Sequence, residues 1–341
     1  MRKTLTTIAF ALTISGAFAQ QDAQFSMNMF NKQVINPGYI GTNNALCATA
    51  LYRQQWVSFP GAPKTALVSL DARIPPIFGG VGLTFCSDQL GVEKNTIIKL
   101  GYSFHLPLGP GVLGIGIDAG VLQKKIAGTW ISTDPYTQDA AIPDLTAKDG
   151  SFNLGFGLYY TTPVGLYFGI SSTNLPQGSL SASSSSTTQS GAPVADAFKY
   201  VMARHYYVMA GAPINASANL KIIPSVLVKS DASSTQLDVN CLAEFAPSAG
   251  PLAIFGGVSY RLTDAIVAII GVKGGSDKIG WRVGYSYDVT TSAIKNYSNN
   301  THEILLNFCY KPFKPKLPMS HDNVRNMGRF KEVEKKQPVT K

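Results

Sequence analysis

The stretch Ile279-Gly-Trp-Arg-Val-Gly-Tyr-Ser-Tyr-Asp288 decides the fold. Read alternately, one face carries Ile279, Trp281, Val283, Tyr285 and Tyr287, and the other carries Gly280, Arg282, Gly284, Ser286 and Asp288. A period of two is that of a β-strand, and the two faces require different solvents. The same pattern recurs elsewhere. Ile98, Leu100, Tyr102, Phe104 and Leu106 alternate with Lys99, Gly101, Ser103 and His105. Leu113, Ile115, Ile117, Ala119 and Val121 alternate with Gly114, Gly116, Asp118 and Gly120, and Phe152, Leu154, Phe156, Leu158 and Tyr160 form a fourth face. A soluble sandwich also alternates. Here, however, the uniform face is large and apolar, with Tyr and Trp toward segment ends, while the opposite face is small or polar. That is the arrangement of a membrane strand with lipid outside and a lumen inside.

Fourteen such segments are expected, near 45–52, 65–73, 80–88, 96–106, 111–123, 151–161, 166–174, 204–213, 219–230, 235–245, 251–260, 265–273, 279–288 and 302–310. The long connections, 53–64, 124–150, 175–203 and 289–301, all fall on one side, as in bacterial outer-membrane barrels. An even strand number closes the sheet without an edge, which hydrocarbon demands of backbone groups that water cannot reach. After the N-terminus no stretch is long and apolar enough for a membrane helix, since Pro251–Lys273 is interrupted by Arg261, Thr263 and Asp264. The expected fold is an all-β, transmembrane antiparallel β-barrel of outer-membrane type over residues 45–310.

Residues 1–19 read as a secretory signal peptide: Arg2 and Lys3, an apolar run from Leu5 to Phe18, and Ala17 and Ala19 before Gln20. The formal net charge of +9 lies mostly at the ends. Residues 311–341 hold nine Lys or Arg against three acids, a basic C-terminal tail of flexible composition, and the body between signal and tail carries about +1. No basic stripe follows, and a nucleic-acid partner is disfavoured. Residues 20–44 precede the first strand and hold Phe25, Met27, Met29, Phe30 and Tyr39. So apolar a segment must be covered, either along the rim or as a plug in a lumen whose glycine-rich wall leaves room.

Candidate chemistry is sparse. Gly114-Ile-Gly116-Ile-Asp118-Ala119 fits a dinucleotide fingerprint formally, but it lies within an alternating strand with no helix after it. His105, His205, His302 and His321 show no metal spacing, and no nucleophile elbow is present. No catalytic residue, cofactor or metal is expected. The plain reading of Cys47, Cys86, Cys241 and Cys309 is four unpaired side chains, with a Cys47–Cys309 bridge across barrel closure as the alternative. Lys99, Asp118, Arg282, Asp288 and Glu303 are expected to point into the lumen, where a passive diffusion porin would use them as constricting charges. The Ser-rich run from Ser179 to Ser190 reads as an outer loop.

The order of several short motifs resembles the PorP/SprF family of type IX secretion membrane proteins. The motifs are Gln21-Asp-Ala-Gln-Phe-Ser26 with Met29-Phe30-Asn31, Asn36-Pro-Gly-Tyr-Ile-Gly41, Arg53-Gln-Gln-Trp56 followed by Gly61-Ala-Pro-Lys-Thr65, and Gly284-Tyr-Ser-Tyr-Asp288 with His302-Glu-Ile304. The resemblance implies a Bacteroidetes outer-membrane barrel of the secretion and gliding machinery. Its implied partners are membrane lipid, the C-terminal domain of a secreted surface adhesin, and periplasmic secretion components. The candidate partner contacts are Asn36, Pro37, Tyr39, Arg53, Gln55, Trp56, Gly61 and Pro63, with an interfacial anchor as the plainer reading of Trp56.

Overall fold

In the computed structural model, the structure describes residues 22–127, 146–182, 198–231, 233–247 and 251–312. The signal-peptide and most of the tail expectation, and Ser183–Ser190, lie outside the described residues. The strands are β1 Leu46–Gln54, β2 Lys64–Ile74, β3 Gly79–Leu90, β4 Glu93–Leu108, β5 Gly111–Ala127, β6 Thr146–Thr161, β7 Tyr167–Thr173, β8 Ser179–Ala182, β9 Phe198–Val201, β10 His205–Gly211, β11 Ile214–Asn215, β12 Leu220–Ser230, β13 Thr235–Phe245, β14 Leu252–Arg261, β15 Ala265–Gly275, β16 Ile279–Thr290 and β17 Thr301–Tyr310. Each barrel strand pairs antiparallel with its sequence neighbour. β10 pairs β7 and β12, and β1 pairs β17, so fourteen strands close on themselves. Closure removes the free edges that would cost several kcal/mol per unsatisfied group in lipid.

The wall follows the alternation. Along β4, Ile98, Leu100 and Phe104 are exposed while Lys99, Gly101, Ser103 and His105 are buried. Leu100 and Ile270 are 66% exposed, a surface that only lipid suits. Among the described residues no helix is long and apolar enough to cross a membrane. One rim carries the turns 75–78, 109–110, 162–166, 276–278 and both ends of the barrel sheet. The other carries the connections 55–63 and 291–300, the end of β5 with the start of β6, and the end of β7 with the start of β10.

Two expectations need correction. Cys47 and Cys309 are joined in a disulfide rather than unpaired. The register brings them face to face across the β1–β17 closure, both on the inner face. Cys86 is buried and Cys241 is exposed, each a free thiol. The Ser-rich connection is also not wholly irregular. Its start, β8, pairs with β9 as a small hairpin at the long-connection rim. Leu180 of β8 packs fully buried with Leu122 and Met202.

Candidate functional site

Residues 22–44 run inside the barrel, from the long-connection rim to the short-turn rim, in three short 3-10 turns, Asn28–Phe30, Lys32–Val34 and Pro37–Tyr39. Phe25, Met27 and Met29 pack against Leu51, Leu67, Leu242, Phe255, Val267 and Leu305, which come from strands on both sides of the closure. A chain without regular structure in an enclosed space needs partners for its backbone groups. The inward polar side chains supply them. Ser171 donates to the Ile35 carbonyl at 2.5 Å, Ser103 to the Gly38 carbonyl at 3.0 Å, and Asp71 accepts from the Gly41 N–H at 3.1 Å. The amide of Gln33 donates to the Leu70 and Leu83 carbonyls.

At the long-connection rim the segment is held by a buried charge cluster. Glu303 accepts from the backbone N–H groups of Ser26 and Met27, 2.8 Å each, and from Arg53 at 3.0 Å. Asp288 accepts from the Ser26 hydroxyl at 2.6 Å and from Arg53 at 2.9 Å, and lies 3.3 Å from Arg261. Arg261 also reaches Asp238 and Asp264 and donates to the Phe25 carbonyl at 3.5 Å. Arg53, Arg261, Asp288 and Glu303 are each 2% exposed or less. Buried ions of this kind are tolerable only when each is paired and hydrogen-bonded.

Beside the cluster, Asp22 accepts from Thr173 at 3.0 Å, Tyr207 at 2.9 Å and Asn174 at 3.2 Å, and its carbonyl accepts from Lys229 at 2.6 Å. Burial pushes the Asp22 carboxyl up, but His205, Lys229, Lys99 and the Tyr207 hydroxyl outweigh it and bring it down to about 2.

At mid-depth the wall of β5 and β6 is glycine where the segment lies against it. A Cβ on Gly116 would stand 2.2 Å from the Pro37 carbonyl carbon, and one on Gly157 would stand 2.2 Å from the Asn36 side-chain oxygen. Lys99 pairs with Asp118 at 3.2 Å just beside this contact.

Below the segment, at the short-turn rim, a funnel of about 650 Å³ remains, lined in part by Asn31, Lys32, Tyr39, Tyr159, Tyr167 and Arg282. The Lys32 ammonium lies 3.5 Å over the Tyr167 ring, and Tyr39 meets Tyr159 edge-on at 5.2 Å. Burial lowers Lys32 to about 7, so it is only partly charged at neutral pH.

Lys99, Asp118, Arg282, Asp288 and Glu303 all stand on the inner face, and all five are engaged with one another or with the segment, Arg282 alone also lining the funnel. Arg282 stacks 4.3 Å over Phe30. Of the candidate partner contacts, Asn36 and Pro37 are buried in the lumen, with the Asn36 amide donating to the Leu158 carbonyl at 3.0 Å. Arg53 is an inward strand residue, not a loop residue. Enclosure withdraws these three from any surface a folded partner touches. Tyr39 faces the funnel. Gln55, Trp56, Gly61 and Pro63 lie on the loop 55–63 at the long-connection rim, where the Trp56 backbone N–H donates to the Thr301 hydroxyl at 3.1 Å and Gly61 is exposed. Arg261 and Asp238 are site residues that the sequence reading missed. Their signal is parity, since Arg261 ends an alternating strand on its inward phase. Among the described residues no cluster of His, Cys, Asp and Glu could hold a metal ion.

A closed fourteen-strand barrel with a lipid-suited exterior, its lumen occupied by its own N-terminal segment, defines an outer-membrane-type β-barrel protein. The family model described as "Type IX secretion system membrane protein PorP/SprF" matches residues 17–308, and the chain belongs to that family. No curated protein matches. Among solved structures the chain is similar to the "CymD monoaromatic hydrocarbon channel", with TM-score 0.50, 12% identity, and 82% of this chain and 92% of that chain covered. It is also similar to a Pseudomonas aeruginosa FadL homologue, with TM-score 0.48, 9% identity, and 78% and 89% covered. The Pseudomonas putida toluene transporter TodX gives TM-score 0.48, 9% identity, and 86% and 95% covered. At such identity the likeness to CymD shows the barrel fold alone.

Proposed function

We propose that this chain is a closed, non-catalytic interaction component of type IX secretion in a Gram-negative outer membrane. In this reading its signal peptide is removed on export. The short-turn rim faces the periplasm and meets secretion components there. The long-connection rim faces outward and holds the C-terminal domain of a secreted surface adhesin, of the kind used in gliding. Gln55, Trp56, Gly61 and Pro63 contribute to that outer surface. One observation carries the reading: the lumen above the funnel is filled by residues 22–44, whose apolar side chains pack on wall residues and whose backbone groups at Ser26, Ile35 and Gly38 are met by wall side chains. A diffusion porin needs a water-filled path, whereas a filled barrel offers rigid rims. The reading is tested by affinity purification of the chain from native membranes. Recovery of a large surface protein or of periplasmic secretion components supports it, and recovery of the barrel alone contradicts it.

A further inference from the structure

The funnel at the short-turn rim has a chemistry that the held segment does not use. Lys32, Lys221, Lys273, Arg282 and Lys311 line it against only Asp71 and Glu244. Glu244 already serves two of the cations, pairing with Lys273 and lying 3.7 Å from Arg282. At the top of the funnel Asn31 is 4% exposed, and neither its side-chain nitrogen nor its oxygen has a hydrogen-bond partner. A buried amide left without partners is costly, so such a group points to a ligand. An Asn amide donates and accepts side by side, which matches a peptide group and does not match a phosphate, which only accepts. The Nε of Arg282 is likewise buried and unpartnered. The volume of about 650 Å³ falls within the range of ligand pockets, about 300–1,000 Å³. The described residues end at this same rim with Lys311 and Pro312.

We infer that the funnel binds an acidic, extended peptide segment of a protein entering from the short-turn side, its carboxylates held by the rim cations and one peptide group by Asn31. This rests on the reading above that the short-turn rim meets secretion partners, and it names the chemistry of that partner. Lys221 and Lys311 stand at the mouth and form the outer collar. Arg282, fixed on Phe30, and Lys273 stand deeper. The excess positive charge speeds the encounter as well as the binding, and both weaken with salt.

The test uses the full mature chain in detergent and a fluorescein-labelled octapeptide of alternating Glu and Ala with a free C-terminus, read by anisotropy. Inorganic polyphosphate and a Lys-for-Glu peptide are the comparators. Saturable binding of the Glu peptide is expected with a Kd below about 100 µM. Lys221→Glu with Lys311→Glu, both at the rim and outside the packed lumen, should weaken it more than about tenfold. Asn31→Leu should weaken the Glu peptide about fivefold and polyphosphate less, because polyphosphate meets only the amide's N–H donors and leaves its oxygen unmet. Absence of saturation up to about 1 mM overturns the inference. So does equal binding of the Lys peptide, and so does an Asn31→Leu variant that binds the Glu peptide as the parent does, which reduces the funnel to a generic anion sink. Heat-shifted migration on gels certifies that each variant barrel is folded. Ion conductance measured on the same preparation separates the two readings: a closed lumen without peptide binding removes only the funnel site.

Discussion

Truncating Glu303 to Ala should unlatch the N-terminal segment. Glu303 is fully buried and accepts two backbone N–H groups from Ser26 and Met27 at 2.8 Å and one N–H from Arg53 at 3.0 Å. Hydrogen bonds to a charged group contribute about 1.5–3 kcal/mol each. Their loss leaves Arg53 buried with Asp288 as its one remaining carboxylate. Removing one partner of a buried pair costs about 3–5 kcal/mol. At about 4 kcal/mol, the released population of the segment rises by nearly three orders of magnitude. Trypsin reads that population. The Lys32–Gln33 bond lies inside the barrel while the segment is seated and becomes cleavable only on release, and the cleavage rate follows the open population when reseating is fast. Glu303→Ala should therefore yield a chain beginning at Gln33 at a rate raised by at least about 100-fold, the low end of that range. Glu303→Gln, which keeps one oxygen acceptor, should fall between it and the parent. A folded Glu303→Ala barrel cut at Lys32 within about twofold of the parent rate would refute the latch.

Other outcomes follow from single contacts. Gly116→Leu places atoms where the backbone of Pro37 and Gly38 stands, 2.2–2.4 Å from the new Cβ, and should displace the segment at mid-depth, read as the same trypsin product with the barrel intact. Leu100→Arg puts a cation on the most lipid-exposed part of β4 and should cost about 2–4 kcal/mol, read as a lower urea midpoint in lipid vesicles; an unchanged midpoint contradicts the assignment of that face to lipid. The Cys47–Cys309 bridge spans 262 residues, and the loop-entropy model gives it about 5.6 kcal/mol relative to the unfolded chain. Cys47→Ser should lower the unfolding midpoint accordingly, and mass spectrometry of the unreduced protein should show one bridge and two free thiols. The Asp22 carboxyl is held below its ordinary value of 3.8, so the anchor it provides is fully present above about 4 and is lost as pH falls toward about 2. Trypsin susceptibility at Lys32, assayed after an acid pulse, should rise across that window in the parent, and the step should shrink in Asp22→Asn.

The wall was legible in the sequence because a half-lipid, half-lumen strand writes its two solvents into alternate residues. Ile98 with Lys99, and Tyr285 with Ser286, needed no tertiary information. The need to cover Phe25, Met27 and Met29 was equally plain, and the glycines on the inward faces signalled space. What the sequence did not disclose is which groups meet across that space. Glu303 lies 277 residues from Ser26, and their pairing depends on the closure register of β1 with β17. Arg53 read as a loop residue because its motif runs into a turn, although it shares the inward phase of Cys47, Thr49 and Leu51. Arg261 read as an interruption of an apolar stretch when it is the inward end of β14. The β8–β9 hairpin was hidden by serine-rich composition, which conceals a strand whose one large apolar residue, Leu180, provides its burial.

The most direct test of the central claim is ion conductance in planar bilayers, comparing the parent with a chain lacking residues 22–41. The parent should be silent and the deletion should show stable open steps, since the segment alone fills the lumen above the funnel. A parent that already conducts as freely as the deletion would contradict a closed barrel and favour a diffusion pore.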